Sequence, residues 1–310
     1  MRVLVTGGAG FIGSHLVDAL VRRGDQVVVV DDLSTGHRTQ VHSDAAFHQV
    51  DLREADALER VIAAARPEAV SHHAAQADVR RSMADPAFDA QVNILGAIHL
   101  LQCCVKYKVQ KLIFASTSAV YPDPQSTPVD EQHPVRPQSA YGLSKYVVEQ
   151  YLAFYREAHR LRSTIFRYGN VFGPRQDPHG EAGVVGIFSE QLLRGEPPTL
   201  FGDGTKTRDY LYVDDVVAAN LLALDGAGDG EVYNLGWGRE ISDFQVFDAV
   251  RQALGVRLEP CYAAKRPGEL DRIALNPAKA KAQLQWSPHV SFETGIQRAA
   301  DYYRRFLSRP

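Results

Sequence analysis

Tyr141 and Lys145 stand four residues apart, downstream of the cluster Ser116-Thr117-Ser118. Residues at i and i+4 share one face of a helix, so a phenol and an amine are carried side by side. A phenol has a reference pKa of about 10, and an ammonium within about 4 to 6 Å favours its ionised form. Thr117, at the end of an apolar strand from Leu112 to Ala115, adds a hydroxyl that can hydrogen-bond an alcohol and share its proton. The trio spells removal of a proton from a hydroxyl group, with Tyr141 as base. A tyrosine and a lysine at this spacing are more often a plain surface pair, so the residues upstream decide.

The chain opens with Val3-Leu4-Val5-Thr6-Gly7-Gly8-Ala9-Gly10-Phe11-Ile12-Gly13. Gly7, Gly10 and Gly13 meet three demands of a dinucleotide site: a tight turn leaving a strand, backbone approach to a pyrophosphate without Cβ, and close packing of the next helix. The N-terminus of that helix then faces the phosphates with its N–H groups and dipole. Eighteen residues after Gly13, Asp31 closes the run Val27 to Val30, where its carboxylate can accept both ribose hydroxyls and would repel the extra phosphate of NADP. The expected cofactor is therefore NAD, whose cationic ring beside Tyr141 would add to the pull on the phenol's proton. Asp32 opens the loop Asp32-Leu33-Ser34-Thr35-Gly36 and either caps a turn or touches adenosine. Asp51 and Leu52, after a third strand, either hold adenine through a carboxylate and neighbouring backbone or cap a helix.

These residues need a scaffold, and the chain's periodicity supplies one. Val3 to Val5, Val27 to Val30, Ala69 to His72 and Leu112 to Ala115 read as strands, alternating with helical spacing such as Leu16, Ala19, Leu20 and Leu58, Val61, Ile62, Ala65. Alternation of this kind means a parallel sheet covered on both faces. The expected fold is α/β: a Rossmann-type doubly wound parallel sheet with a smaller mixed α/β substrate domain. Long helices are predicted over 87–106 and 140–158. After Arg167 the chain is broken by Gly173-Pro174, Pro178, Gly180, Gly183, Pro197-Pro198 and Gly202-Asp203-Gly204. The division follows: residues 1–166 bind the dinucleotide, with about 212–235 returning to that domain, and 167–310 mainly bind substrate. A last helix, capped by Ser291, carries Ile296, Ala299, Ala300, Tyr303 and Leu307 on one face.

At 310 residues, 45% apolar and 23% charged, the composition is ordinary for a globular protein. A net charge of -3, with no basic and aromatic clustering, argues against nucleic acid as a partner. The three cysteines, two of them adjacent, cannot all pair internally and suit a reducing cytoplasm. No apolar run reaches the roughly 20 residues of a membrane span, and no leader precedes the first strand. The eleven histidines are scattered without metal-ligand spacing, so no metal is expected.

The ordered series Thr6 to Gly13, Asp31 to Gly36, His72 to Gln76, Asp85-Pro86 with Asn93, Ser116 to Ser118, Tyr141 to Lys145, Arg167 to Asn170, Arg208-Asp209 and Arg266 to Glu269 resembles the extended short-chain dehydrogenase/reductases. Within them it is most similar to the NAD-dependent epimerase/dehydratase family and its UDP-glucose 4-epimerases. The resemblance implies that Phe11 and Ile12 join the pyrophosphate turn, and that the loop from Asp32 to Gly36 runs beside the cofactor. His73, Ala74, Ala75 and Gln76 would border it too, with Asn93 approaching from the following helix. It implies a UDP-sugar substrate touched by Thr117, Tyr141 and Asn170, gripped at its diphosphate by Arg208 and Arg266, and lined at its base by Val185 and Phe201. A homodimer joined through 87–106 and 140–158 is implied as well.

The reaction so implied is oxidation of the sugar 4-hydroxyl to a transient ketone, rotation of the sugar, and return of hydride to the opposite face. Related dehydratases carry an Asp-Glu pair after the hydroxyl residue, where this chain has Ser118-Ala119. A decarboxylase or a UDP-glucuronate 4-epimerase would act on a uronic acid, and a non-catalytic NAD-binding regulator would have lost Tyr141 or Lys145. Asp32, Thr117, Pro122 and Tyr212 depart from residues common among the epimerases, of which only Thr117 touches the chemistry, and it keeps the hydroxyl. Ile273 aligns where some epimerases carry a tyrosine that narrows the sugar pocket, which raises the expectation that N-acetylated sugars are admitted.

Overall fold

Runs such as Val27 to Val30 can bury both faces only inside a sheet covered by helices, and the computed structural model places them there. It describes residues 1–179, 183–266 and 270–307, apart from the side chain of Leu307. Gly180 and the Pro267-Gly268-Glu269 portion of one motif lie outside the described residues.

The chain starts with β1 (Arg2–Thr6), α1 (Phe11–Arg23), β2 (Gln26–Asp31), β3 (Ala46–Gln49), α2 (Ala55–Ala65) and β4 (Ala69–His72). Two short helices, α3 (Val79–Ala84) and α4 (Pro86–Ala90), precede a π-helical stretch at Gln91–Leu95 that continues as α5 (Gly96–Lys106). Next come β5 (Lys111–Thr117), α6 (Ala140–His159), β6 (Arg162–Tyr168), β7 (Asn170–Phe172) and α7 (Val184–Leu193). Short strands β8 (Thr199–Phe201), β9 (Thr207–Arg208) and β10 (Tyr210–Tyr212) lead into α8 (Val213–Leu224) and β11 (Glu231–Leu235). The remainder is β12 (Ile241–Ser242), α9 (Asp243–Leu254), β13 (Cys261–Ala263), α10 (Ala278–Leu284) and α11 (Phe292–Leu307).

Seven strands form one parallel sheet in the order β11-β6-β5-β4-β1-β2-β3. The order reverses between β1 and β4, and such a switch point opens a crevice beyond the strands' carboxyl ends. On one face α1 and α8 bury Leu16, Leu20, Val216 and Ala219. On the other, α2, α5 and α6 bury Leu58, Ile62, Leu100, Leu101, Val148 and Leu152. A separate core joins α7, α9 and α11 through Phe188, Phe247, Ile296 and Tyr303.

The helix expected over 87–106 begins at Pro86, where Asp85 accepts the N–H of Phe88 as its cap, and it widens into a π turn at its middle. Contrary to expectation, Pro86–Lys106 is long and apolar enough to cross a membrane, with a mean hydropathy of 1.3. Its face bearing Leu100, Leu101, Cys103 and Cys104 is core packing against the sheet. Ser291 caps α11 by accepting the N–H of Thr294, and Ile296, Ala299, Ala300 and Tyr303 are buried along it.

Candidate active site

The β1–α1 turn shows why glycine stands at its positions. Gly7 has φ +69, and a Cβ there would lie 2.6 Å from the backbone nitrogen of Ala74. At Gly13 a Cβ would meet the Gly7 carbonyl at 2.1 Å, whereas at Gly10 the nearest atom is that same oxygen at 3.3 Å. Gly7 and Gly13 therefore let two segments touch, and Gly10 keeps the helix end bare. The α1 N-terminus has no side-chain cap and no acidic residue in its first turn. Phe11, Ile12 and Gly13 thus present N–H groups without intrahelical partners, which is an anion-binding end. These features fit the pyrophosphate of NAD.

Asp31 is 7% exposed, and its carboxylate accepts the N–H groups of Ala9 and Leu33. It braces the glycine turn and the 32–36 loop while burial raises its pKa. Gly36 packs against Ala9, where a Cβ would stand 2.9 Å from the carbonyl carbon. Asp32 is exposed and caps its own loop, accepting from Ser34 N and Oγ; Ser34 and Thr35 are exposed with it. Asp51 accepts the backbone and guanidinium of Arg53, and Leu52 is buried with its carbonyl bonded to His99. Asp32 thus makes the turn cap expected as one alternative, whereas Asp51 does not cap the following helix, whose N-cap is Glu54.

His73, Ala74, Ala75 and Gln76 follow β4 across the crevice from Gly7. His73 stacks on Tyr168, with its Nε2 3.0 Å from Ser71 Oγ, and burial pulls its pKa down to about 3. It is a neutral ring in the wall, not a base at neutral pH. The Asn93 amide is bonded within the protein. Asn93 Oδ1 accepts Gln76 N, and its Nδ2 reaches Gln76 O, Asp89 Oδ1 and Ser144 Oγ. The π turn carries this clamp, which fastens the 73–78 loop to α6, so Asn93 shapes the crevice through that loop.

Tyr141 and Lys145 project from the first turns of α6, capped by Ser139. Gly142 brings this helix end against the turn after β5: a Cβ there would be 2.3 Å from the Ala119 carbonyl oxygen. The approach sets the Tyr141 hydroxyl beside that of Thr117, whose Oγ1 accepts Ala119 N. Lys145 donates to the Ala115 carbonyl at 2.9 Å, and its Nζ is 6.0 Å from the Tyr141 ring centre. The expectation that this ammonium lowers the phenol's pKa is corrected here. Burial pushes Tyr141 up to about 12 against the opposing Thr117 hydroxyl, and burial brings Lys145 down to about 8. The amine is turned toward a carbonyl, so the chain's own groups leave the phenol protonated.

On the substrate side Asn170 lies on β7, its N–H bonded to the Asp209 carbonyl at 2.7 Å. Arg208 donates to the carbonyls of Thr207 and Leu270, so its guanidinium is anchored to the segment after Arg266. Arg266 stacks on Phe201 at 3.5 Å from the ring centre. Phe201 borders a cleft of about 720 Å³ together with Thr207 and Lys265. Val185 is 1% exposed within the third core, so it is packing and not an open pocket wall. Ile273, also 1% exposed, packs with Val120, Tyr121, Val129 and Leu275, which removes the argument that it widens a sugar pocket.

Sequence reasoning passed over the buried polar residues that hold these elements. Asp209 accepts Trp237, Gly238 and Leu275 N–H groups and is raised to about 6 by burial. Glu149 and Arg167 form an ion pair at 2.6 Å with side chains 2% and 6% exposed. The available signal was a charge inside an apolar pattern: Glu149 beside Val148 on the inner helix face, and Arg167 after Ile165 and Phe166 in a strand. Among the described residues no group of three or more His, Cys, Asp or Glu is placed to hold a metal.

Gly13→Ala should lower stability by about 1–3 kcal/mol or more and strip bound NAD, because the added methyl meets backbone; melting temperature and retained dinucleotide measure both. The two perturbed groups give a pH dependence of stability. Lys145 binds its proton less well folded than unfolded, so its charge-burial penalty fades from pH 8 toward its ordinary 10.5. Tyr141 runs oppositely, because the folded phenol keeps its proton to about 12 and stability falls above its ordinary 10. Urea unfolding should therefore show the wild type gaining stability relative to Lys145→Met between pH 8 and 10.

Residues 3–236 match the NAD dependent epimerase/dehydratase family. The chain is 44% identical to a putative UDP-glucose 4-epimerase of Methanocaldococcus jannaschii, over 97% of this chain and 98% of that one. A UDP-glucose 4-epimerase of Thermotoga maritima, solved with UDP-glucose, superposes with a TM-score of 0.97 at 46% identity, covering 99% of this chain and 100% of that one. The Thermus thermophilus UDP-glucose 4-epimerase in complex with NAD gives 0.94 at 47% identity, covering 98% and 99%. The similarity runs over almost the whole length of the chain, which belongs to the NAD dependent epimerase/dehydratase family.

Proposed function

We propose that this protein is an NAD-dependent 4-epimerase of a UDP-hexose, interconverting UDP-glucose and UDP-galactose. The observation that carries the reading is the Tyr141 hydroxyl set beside Thr117 at the end of β5, with a glycine turn shaped for a dinucleotide in the same chain. The relatives named UDP-glucose 4-epimerase, one solved with UDP-glucose and one with NAD, support it.

When bound, NAD supplies hydride acceptance and return at the sugar carbon, and its cationic ring adds the charge that Tyr141 needs to ionise. Tyr141 takes the proton of the 4-hydroxyl, and Thr117 holds the same oxygen and relays the proton. Lys145, four residues on, anchors the ribose side and contributes charge. Gly7, Gly10, Phe11, Ile12 and Gly13 hold the pyrophosphate, Asp31 the ribose, and the loops 32–36, 51–52 and 73–76 the adenosine and the crevice walls. Arg208 and Arg266 grip the substrate diphosphate, with Phe201 under the base and Asn170 near the sugar. A firm hold on the nucleotide leaves the sugar to turn. Ser118 and Ala119 follow Thr117 where a dehydratase needs acid and base, which argues against elimination of water.

The division into a dinucleotide part, 1–166 with 212–235, and a mainly substrate-binding part, 167–310, agrees with α8 lying on α1 and β11 lying beside β6. We place two copies face to face through 86–106 and α6, which expose Leu95 at 44%, Leu143 at 52% and Phe154 at 57%. Unpaired Cys103, Cys104 and Cys261 suit the cytoplasm.

The deciding assay incubates the protein with UDP-glucose, UDP-galactose, their N-acetyl forms and UDP-glucuronate, and resolves products by NMR. Epimerisation of the hexoses without net NADH is expected; a stable 4-keto-6-deoxy product would select a dehydratase, and turnover of UDP-glucuronate alone a uronate enzyme. Tyr141→Phe should lose about 10² to 10⁴ in turnover while retaining NAD. Light scattering should give a dimer for the wild type and a monomer for Leu143→Asp/Phe154→Asp; an unchanged mass would remove the proposed interface.

A further inference from the structure

Three consecutive residues of β5 are each tied to one face of α6. Ala115 O accepts Lys145 Nζ at 2.9 Å, Ser116 Oγ donates to Glu149 Oε1 at 2.5 Å, and the Thr117 hydroxyl stands beside that of Tyr141. The helix residues 141, 145 and 149 recur at intervals of four, so they form one stripe. Tyr141 and Lys145 belong to the reacting site of the proposed function. Glu149 is bonded instead to Ser116 and Arg167.

Glu149 is itself clamped from the far side. Arg167 Nε and Nη2 donate to its two oxygens at 3.0 and 2.6 Å, and Arg167 Nη1 donates to Tyr121 Oη at 2.8 Å. Tyr121 donates in turn to Asn234 Oδ1, and Asn234 Nδ2 to the Val129 carbonyl. The chain of bonds spans α6, β5, β6, β11 and the 120–129 segment beneath the site. A buried ion pair adds little net stability over well-packed apolar side chains, whereas its bonds are directional and admit one register. Val148 and Leu152 on the same helix face are apolar contacts that tolerate sliding.

We propose that Glu149, clamped by Arg167 and bonded to Ser116, is a positioning residue that sets the register of α6 on β5 and thereby places the Tyr141 hydroxyl against Thr117. The proposal deepens the epimerase reading and rests on Tyr141 as its base. A slip of the helix separates Tyr141 from Thr117, the one neighbour that opposes the rise of the phenol's pKa.

Ser116→Ala deletes the tether and leaves the Glu149–Arg167 pair in place, so it isolates register from the cost of an unpaired charge. In the NAD-loaded enzyme it should lower kcat for UDP-galactose about 10- to 100-fold with KM changed by no more than about twofold. The acidic limb of the kcat–pH profile should move to higher pH, and Ser116→Thr should restore both. Glu149→Gln should act in the same direction and more strongly; if it does not fold, Ser116→Ala still decides. Wild-type kcat and pH profile in Ser116→Ala, even with a lowered melting temperature, would overturn the proposal while leaving the epimerase reading intact. Full turnover in Tyr141→Phe, measured alongside, would instead sink the reading and the proposal together.

Discussion

Two strands that feed opposite edges of a parallel sheet part here, and just past β1 the chain meets backbone at a glycine. β1 leads to one edge and β4 to the other, and Gly7 touches the backbone of His73 and Ala74 where they part. Any Cβ at Gly7 would enter that backbone, and any at Gly13 would enter Gly7 itself. This contact sets how deep the crevice is and where the bare end of α1 points. Everything that the cofactor and the reacting groups require is measured from it.

Around the crevice the structure places buried polar groups whose bonds run between elements. Asn93 fastens the loop after β4 to α6, Asp31 fastens the glycine turn to the loop after β2, and Asp209 gathers three backbone N–H groups beside Arg208. An unsatisfied buried polar group costs about 1–3 kcal/mol, so each clamp penalises every arrangement except the bonded one. Apolar cores on the two faces of the sheet supply cohesion but little direction. Cohesion and direction are thus carried by different residues.

The reacting trio shows the cost of that enclosure. Burial disfavours both the phenolate and the ammonium, leaving Tyr141 raised to about 12 and Lys145 lowered to about 8. The Thr117 hydroxyl opposes the first shift only in part. A phenol held this way keeps its proton until a positive charge arrives beside it, which, for the proposed role of Tyr141, ties proton removal to the presence of the cofactor. Such coupling suits a reaction whose intermediate must not form without a hydride acceptor.

Much of this was legible in the residues because the signals are local. A strand running into Gly7, Gly10 and Gly13, an aspartate closing the next strand, and Tyr141 four residues before Lys145 each report short-range geometry that a chain segment carries by itself. So do the alternating strands and helices, whose periodicity predicts a parallel sheet. What tertiary structure alone decided were contacts between segments distant in sequence: Val185 and Ile273 as core, Asn93 as a loop clamp, Lys145 turned to the Ala115 carbonyl, and Glu149 paired with Arg167 beneath the site. The physical reason is that spacing along a helix or strand fixes which face a side chain shares, whereas its partner and its desolvation depend on what packs against that face.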